Sequence, residues 1–426
     1  MATFRITSLD ALEILDSRSR PTLQVTVALD DVTQGVAGVP SGASTGSREA
    51  LERRDGDKAR YGGHGVAEVV AAVRGEIRAA LVGPGWSALA EIDDALIALD
   101  GTATKSRLGA NAVIGTSLAC ARALAQRAGQ PLWQWLAIPG VSPRLPVPHF
   151  NVLNGGAHAS NRLDFQEFML APIGAPNFAE AVRAGAETYA VLRGLLKDRG
   201  FPTGLGDEGG FAPDLTETQV LDILVEAITR AGYAPGRSGV AIALDPAASG
   251  FYHDGVYQVA GQSLTTAAMV GWYAEAVTRY PIWSIEDGLA EDDWEGWAAL
   301  TERIGTKVQL VGDDIFVTDP ATIRLAADRR VANAALIKPN QIGTVTETLL
   351  AIETARLAGY AQMVSHRSGE TTDTFIADLA VGSGCGQIKA GAPARGERVA
   401  KYNRLLEITA AEPSLPYGLA ELPADR

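Results

Sequence analysis

Charged and polar side chains stand at the ends of short apolar runs in the second half of this sequence. They are Asp245, Glu286, Asp313, Lys338, His366 and Lys389. A charge at the exit of a buried strand is unfavourable unless an opposite charge, a hydrogen bond or an ion compensates it. The three carboxylates are the hard oxygen ligands that Mg²⁺ prefers, so we interpret them as candidate magnesium ligands. The alternative is that each acid only caps the helix that follows it.

Lys338 is the candidate general base of this set. It follows the apolar residues 335–337 directly and precedes Pro339. To accept a proton near neutral pH, a lysine needs its pKa lowered from about 10.4 by roughly 2–3 units. Burial, the positive charge of Lys389 and a bound metal all act in that direction. Structural ion pairs between the two lysines and the acids are the alternative.

The spacing of these side chains predicts the elements that bring them together. Successive run ends lie 23 to 41 residues apart. Helical patterns fill most of the intervals, at 265–280, 319–328, 344–358 and 371–382. Strand and helix alternating at this pace predict βα units with parallel strands. A closed (β/α) barrel would collect the carboxyl ends of the strands at one mouth, and an open doubly wound sheet is the alternative.

The first third of the chain has a different pattern of predicted strands and helices. Residues 22–30 alternate like a half-exposed strand, helical patterns cover 64–82, 87–99 and 109–128, and a proline-rich bridge spans 138–150. We interpret the bridge as a linker. The expectation is therefore an α+β N-terminal domain, residues 1–138, followed by a barrel domain, residues 139–426. Two domains are also what a chain of 426 residues favours.

Composition disfavours several classes of function. A net charge of −13 and a pI near 5.0 argue against nucleic acid or an anionic membrane as the main partner. The most apolar window, 108–125, contains Asn111 and Arg122 and predicts a buried helix rather than a membrane span. Cys120 and Cys385 lie far apart and form no metal-binding spacing, which predicts a reduced, cytoplasmic setting.

Three loop motifs are interpreted in different ways. The stretch GLGDEGGFAP (204–213) matches G-x-G-x-x-G, but its acids would repel a pyrophosphate and Pro213 interrupts the required helix. Its glycines instead predict a sharp turn that directs Glu208 into a site. The stretch SGASTGS (41–47) lacks the lysine of a P-loop and predicts a mobile lid, with a plain surface loop as the alternative. Arg367 and Ser368 suit a phosphate or carboxylate.

Taken together, these motifs resemble those of the enolase family. The stretches that carry the resemblance are SGASTGSREALERRDGD (41–57), LGANAVIGTS (108–117), NVLNGGAHASN (151–161), QEFM (166–169), GDEGGFAP (206–213), ALDPAAS (243–249), SIEDGLAEDDW (284–294), VGDD (311–314), KPNQIGT (338–344), SHRSGET (365–371) and IKAGAPARGERVAKYN (388–403). The resemblance implies an α+β N-terminal domain followed by a modified (β/α)₈ barrel. It also implies reversible, Mg²⁺-dependent dehydration of 2-phospho-D-glycerate to phosphoenolpyruvate. A lysine or histidine base with one or two Mg²⁺ ions is the established pattern of the enolase superfamily.

The resemblance further implies a role for each residue. Lys338 would remove the proton beside the substrate carboxylate, and Glu208, helped by Glu167, would protonate the departing hydroxyl. The implied metal ligands are Asp245, Glu286 and Asp313 for a first Mg²⁺, with Ser44 in the lid for a second that arrives with substrate. The implied substrate contacts are Arg367 and Ser368 on the phosphate, together with His158, Glu167, His366 and Lys389. By the same resemblance, we expect a homodimer or an octamer of dimers in the cytoplasm, with a further cell-surface or secreted pool in some members.

Some positions depart from the common family pattern. Ser19 and Arg20 replace the usual Gly-Asn, and Gly250 stands where an acid is usual. These changes leave the assigned site residues intact but indicate a divergent paralogue. One alternative is therefore an enolase-derived enzyme of phosphonate metabolism, such as a carboxyphosphonoenolpyruvate synthase. Another is a non-catalytic structural or surface-binding protein on the same scaffold.

Overall fold

An antiparallel sheet forms the N-terminal layer of the protein, whose computed structural model describes residues 3–43 and 45–420. Its strands are β1 (Phe4–Leu15), β2 (Pro21–Leu29), β3 (Gln34–Gly38) and β4 (Gly85–Trp86), in the order β3-β2-β1-β4. Along β2 the side chains of Leu23, Val25 and Val27 are buried and alternate with partly exposed ones. This period of two is what a sheet with one covered face requires, and it confirms the strand predicted at 22–30.

Helices cover the buried face of this sheet. They are α1 (Ala67–Ala72), α2 (Arg78–Leu81), α3 (Leu89–Asp100), α4 (Ala110–Arg127) and α5 (Leu132–Trp135), with a π-helical turn (Val73–Ile77) between α1 and α2. Helix α4 approaches β3 so closely that a Cβ on Gly35 would lie 1.9 Å from the Ala119 carbonyl oxygen. The window 108–125 is thus a buried helix, as predicted. No helix in the described ranges is long and apolar enough to cross a membrane.

A closed barrel follows the N-terminal layer. Its strands are β5 (Val147–Asn154), β6 (Glu167–Ala171), β7 (Ala241–Asp245), β11 (Ile282–Glu286), β12 (Gln309–Gly312), β13 (Ala334–Ile337), β14 (Ala361–Ser365) and β15 (Gln387–Lys389). A small hairpin sheet, β8 (Tyr252–His253), β9 (Val256–Val259) and β10 (Gln262–Leu264), lies between β7 and β11. Strand β6 is antiparallel to both β5 and β7, whereas the other barrel neighbours are parallel. The barrel prediction is confirmed, and the open-sheet alternative is wrong.

Helices surround the barrel strands. They are α6 (Phe178–Asp198), α7 (Glu217–Arg230), α8 (Thr266–Arg279), α9 (Trp294–Ile304), α10 (Pro320–Asp328), α11 (Pro339–Ile342), α12 (Val345–Leu357), α13 (Phe375–Gly382) and α14 (Gly396–Ala411). Several begin at a side-chain cap, as the sequence favours: Thr216 and Gln219 form a capping box on α7, and Asp319 caps α10 immediately before Pro320. These caps end each loop at a defined residue and therefore hold the barrel mouth in place.

The predicted strand-end residues all reach the same mouth. Asp245, Glu286 and Lys389 are the last residues of β7, β11 and β15, and Asp313 and Lys338 directly follow β12 and β13. His366 likewise follows β14. The predicted linker was too long at its C-terminal end, because residues 147–150 already belong to β5, where apolar side chains fill the barrel.

Contacts at the start of α12 anchor the N-terminal layer to the barrel. The Ser117 hydroxyl accepts a hydrogen bond from the backbone N–H of Val345 at 2.9 Å, and Asp93 Oδ2 accepts one from that of Thr346 at 3.0 Å. Lys105 Nζ lies 2.9 Å from Glu347 Oε1. Side chains of the first layer thus satisfy the free N–H groups of a barrel helix, which fixes the loop 338–344 that precedes it.

Candidate active site

Three buried carboxylates surround one ammonium group at the barrel mouth. Lys389 Nζ lies 2.6 Å from Glu286 Oε1, 3.0 Å from Asp245 Oδ2 and 3.3 Å from Glu167 Oε1. All four side chains are at most 4% exposed. Because a buried charge is costly unless it is paired, the ammonium of Lys389 and these carboxylates stabilise each other's ionised forms, whereas the carboxylates repel one another. Two of the predicted metal ligands, Asp245 and Glu286, are thereby brought together.

The third predicted metal ligand is held by the candidate base. Asp313 Oδ2 lies 2.5 Å from Lys338 Nζ, and Asp313 Oδ1 accepts a hydrogen bond from Gln341 Nε2 at 2.8 Å. The Thr318 hydroxyl donates to Gln341 Oε1 at 2.7 Å and accepts from the backbone N–H of Lys338 at 2.9 Å. Lys338 and Asp313 are therefore oriented from both sides before any ligand is present.

The electrostatics of the mouth suit a divalent cation. Burial and the charge of Asp245 raise the pKa of Glu286 well above its usual value, although Lys389 opposes this. Burial and the charge of Asp313 raise the pKa of Asp314 to about 8. Oε2 of Glu286 and Oε2 of Glu167 are buried and have no hydrogen-bond partner among the described residues. Unpartnered carboxylate oxygens in excess of local cations are the donor set that Mg²⁺ prefers, so these residues fit that ion.

Asp287 makes different contacts from its neighbour Glu286. Its two carboxylate oxygens accept hydrogen bonds from the backbone N–H groups of Asp313 and Asp314, each at 2.8 Å. Ligand oxygens of these three acids lie within 4.8 Å of one another. Because both of its oxygens are already engaged by backbone N–H groups, we interpret Asp287 as the residue that shapes the β12 end, which places Asp313.

The contact with Asp313 opposes the lowering of the Lys338 pKa that was expected from burial, Lys389 and a metal ion. Burial lowers the pKa of Lys338, and Arg367 and Lys389 act in the same direction. The adjacent carboxylate of Asp313 outweighs them and raises the pKa of Lys338 above its usual value. The sequence indicated that these charges converge, but not that Asp313 would lie at contact distance.

A second group of acids and imidazoles shares Glu167 with the group around Lys389. Glu208 Oε2 lies 3.1 Å from His366 Nε2, and the ring nitrogens of His158 lie 3.8 Å from Glu208 and from Glu167. Asn151 Nδ2 donates to Glu208 Oε2 at 3.0 Å. Burial raises the pKa of Glu208, but His366 and His158 lower it by more, so that it falls well below its usual value. Burial and the charge of Glu208 raise the pKa of Glu167 well above its usual value, although Lys389 opposes this.

Arg398 determines the tautomer of His366. The guanidinium lies 2.5 Å from His366 Nδ1 and can only donate, so Nδ1 accepts and the ring proton is on Nε2, facing Glu208. Burial lowers the pKa of His366 to about 3, which keeps the ring neutral. Arg398 is fully buried and comes from α14; it falls inside the stretch 388–403 that carried the family resemblance, but sequence reasoning gave it no role.

The candidate phosphate-binding residues stand at the rim. Arg367 forms a paired contact with Glu49, with Nη1 3.0 Å from Oε2 and Nη2 3.1 Å from Oε1. The Ser368 hydroxyl accepts a hydrogen bond from the backbone N–H of Ala43 at 2.7 Å and one from Arg18 Nη1 at 3.3 Å. The lid loop is thus attached directly to the candidate phosphate site.

Together these groups line one cavity of about 380 Å³. Its lining contains most of the predicted side chains: His158, Glu167, Glu208, Asp245, Asp313, Lys338, His366, Arg367, Ser368 and Lys389. Ser44, predicted to contribute to a second metal site, lies outside the described residues. Sequence reasoning missed Gln341, Glu49 and Arg18: the first two fall inside stretches that carried the family resemblance, and Arg18 precedes the departures at Ser19 and Arg20.

Comparisons with known proteins agree with this geometry. Residues 6–136 match the family model of the enolase N-terminal domain, and residues 142–414 match that of the enolase C-terminal TIM barrel domain. The chain is 57% identical over 404 residues to an enolase of Acidothermus cellulolyticus, covering 95% of this chain and 94% of that protein. It is 56% identical over 399 residues to an enolase of Rubrobacter xylanophilus, covering 93% and 92% respectively. The chain belongs to the enolase family.

Proposed function

We propose how the side chains of this cavity divide the work of the family reaction. This chain is a lyase that catalyses the Mg²⁺-dependent, reversible dehydration of 2-phospho-D-glycerate to phosphoenolpyruvate, a step of glycolysis. The chemical difficulty is that a proton next to a carboxylate is very weakly acidic, and its removal concentrates negative charge. Preorganised positive charge in a cavity with little water is the means of offsetting it.

Lys338 is the proposed general base. Its amine is held in the cavity from the end of β13, and Arg367 and Lys389 both act to lower its pKa. The carboxylate of Asp313 has the opposite effect. Any ligand that shares the charge of Asp313 therefore moves the pKa of Lys338 towards the value that a base needs.

Asp245, Glu286 and Asp313 are the proposed ligands of the first Mg²⁺. When bound, the ion supplies Lewis-acid stabilisation of the negative charge that develops on the substrate carboxylate. The unpartnered, buried Oε2 of Glu286 supports this assignment. Ser44 is the proposed lid contribution to a second Mg²⁺.

Glu208 and Glu167 are the proposed acid pair for the departing hydroxyl. The pKa of Glu167 is raised and that of Glu208 is lowered, which makes Glu167 the proposed proton store of the pair, and His366 Nε2 lies 3.1 Å from Glu208. Glu208 can therefore relay a proton to the hydroxyl while Glu167 resupplies it, with His158 between the two carboxylates. Such pairs of interacting acids share their protons rather than titrate independently.

Arg367, Ser368 and Lys389 are the proposed anchors of the substrate. A planar guanidinium and a hydroxyl suit a phosphate group, and the fully buried ammonium of Lys389 suits the carboxylate end. Three acids lie within 3.3 Å of Lys389 Nζ, so their negative charge favours a cation at that point of the cavity.

The convergence of Lys338, Asp313, Lys389, Glu286 and Asp245 at one barrel mouth is the observation that carries this division of roles. Purified protein incubated with 2-phosphoglycerate and Mg²⁺ should generate the ultraviolet absorbance of phosphoenolpyruvate, and chelation should abolish it. The relatives are enolases, which does not favour the phosphonate-pathway or structural alternatives. Absence of turnover with active-site residues intact would contradict the proposal.

We also propose the finer properties that the family resemblance implied. These are a division into domains 1–138 and 139–426, a homodimer or an octamer of such dimers, and a cytoplasmic location. Light scattering coupled to size-exclusion chromatography measures the assembly directly, and a monomer at micromolar concentration would contradict the oligomer.

A further inference from the structure

Glu49 forms a buried ion pair with the candidate phosphate-binding arginine. Its two oxygens contact the two terminal nitrogens of Arg367 at 3.0 and 3.1 Å, and both side chains are at most 8% exposed. Oε1 of Glu49 also accepts hydrogen bonds from the backbone N–H of Gly46 and from Gln341 Nε2, each at 3.1 Å. The carboxylate is therefore fixed in place by the loop and by the barrel.

Arg367 lines more than one cavity, whereas Glu49 does not line the active-site cavity. Arg367 contributes to the active-site cavity, to a cavity under the loop 39–54 and to a third one nearby. Glu49 and Asn340 line the cavity under the loop and are absent from the lining of the active-site cavity. A phosphate in the active-site cavity would thus reach Arg367 from a cavity that Glu49 does not line.

We propose that Glu49 is a specificity-determining residue that weakens the attraction of Arg367 for phosphate dianions. This inference rests on the proposed assignment of Arg367 to the substrate phosphate. A bare, buried guanidinium would bind inorganic phosphate and product strongly. The fixed negative charge next to it lowers that affinity, so that retention of a phosphorylated ligand depends on the contacts made at its other end.

The sign of the effect follows from Coulomb's law. Glu49 contacts the guanidinium, so a phosphate that binds it from the active-site cavity is repelled by a like charge only a few ångströms further away. Glu49→Gln keeps the shape and a hydrogen-bond acceptor but removes the charge. We expect inorganic phosphate to bind about fivefold to tenfold tighter to that variant, because the site is shielded from water and salt.

A purely structural role predicts the opposite sign. If Glu49 served only to orient Arg367, then loss of its charge-assisted contacts would loosen the guanidinium and weaken phosphate binding. Glu49→Asp separates the two views further, since it keeps the charge and shortens the side chain. Under the proposal, the aspartate variant binds phosphate within about twofold of the parent protein, because the repulsion persists.

The test measures inorganic phosphate in two ways on the full chain with Mg²⁺, by titration calorimetry and as a competitive inhibitor of turnover. Glu291→Gln is the control, because Glu291 contacts the same loop by accepting hydrogen bonds from the backbone N–H and hydroxyl of Ser47. We expect a lower dissociation constant and a lower inhibition constant for phosphate, together with a lower KM for the substrate, only in Glu49→Gln. Unchanged or weaker phosphate binding in this variant, at an unchanged melting temperature, would overturn the inference.

Arg367→Lys distinguishes failure of this inference from failure of the proposed function. If phosphate affinity falls in Arg367→Lys but does not rise in Glu49→Gln, then Arg367 binds the phosphate and Glu49 has no tempering role. If Arg367→Lys leaves phosphate affinity unchanged, the phosphate assignment itself is wrong, and the inference about Glu49 falls with it. A melting curve of each variant shows whether the fold is retained.

Discussion

Replacement of Lys389 by methionine should show how the protein compensates the negative charge of the acids at the barrel mouth. The ammonium of Lys389 is the group that touches Glu286, Asp245 and Glu167, and the side chain is 2% exposed. Methionine has a similar length and no charge, so the variant leaves three buried carboxylates without this cation. We expect it to unfold more readily when divalent ions are absent and to be catalytically inactive.

The magnitude follows from the burial of these groups. Removal of one partner from a buried ion pair typically costs about 3–5 kcal/mol. Part of that cost can be relieved by protonation, because burial and the neighbouring acids already raise the pKa of Glu286 and of Glu167. An acid with a raised folded-state pKa destabilises the fold increasingly as pH rises above its unfolded value. The decrease in the free energy of unfolding caused by Lys389→Met should therefore be larger at pH 8 than at pH 5.

Urea unfolding with chelator and with saturating Mg²⁺ tests this reasoning. With chelator at pH 8, the free energy of unfolding of the variant should be about 3 kcal/mol or more below that of the parent protein. Mg²⁺ should restore more stability to the variant than to the parent protein, because the ion neutralises the same carboxylates. Lys307→Met is the matched control, since Lys307 is exposed and forms no ion pair within the described residues. An equal decrease in the free energy of unfolding with and without Mg²⁺ would refute the idea that Lys389 and the ion neutralise the same carboxylates.

Three further substitutions test individual groups. Lys338→Ala should lower turnover by about 100-fold to 10,000-fold or more and abolish solvent exchange of the substrate C2 proton; retained exchange would remove Lys338 from the base role. Glu208→Gln should stop dehydration but keep some exchange, and equal loss of both would contradict the division of roles. Burial raises the pKa of Asp93 to about 6, so its charge destabilises the fold as pH rises from about 4 through 6. Asp93→Asn, which keeps an acceptor for Thr346, should stabilise the protein by about 1 kcal/mol more at pH 7.5 than at pH 5 in urea titrations, and a pH-independent effect would contradict this.

The parallel part of the barrel could be predicted because each strand leaves the same local pattern. In β7 and β13, four apolar side chains pack alternately inside the barrel and against the surrounding helices, and the next side chain faces the mouth. Asp245 and Lys338 are therefore placed by their position in the chain alone. Strands β5 and β6 escaped the same reasoning because they pair antiparallel and are joined by a short 3₁₀ turn (Gly156–His158) rather than by an α-helix. Their spacing breaks the strand-helix period on which the prediction depended.

The contacts within the site could not be predicted in the same way. Gln341 and Arg398 act through side chains that reach Asp313 and His366 across 28 and 32 residues of chain. No period or local motif encodes which of several converging acids lies nearest to a given amine. The raised pKa of Lys338 shows the consequence, because it depends on the 2.5 Å contact with Asp313 rather than on the number of charges in the cavity.

The proposed metal ligands and the proposed substrate groups are paired with each other at the barrel mouth. Asp313 holds Lys338, and Asp245 and Glu286 hold Lys389. The amines of the fold thus offset part of the repulsion among these acids. The same pairing makes the two lysines sensitive to occupancy: a cation that shares the charge of Asp313 removes the main influence that raises the pKa of Lys338, and leaves burial, Arg367 and Lys389 to lower it. Lys338 would thus gain the properties of a base only when the site that stabilises its product is complete.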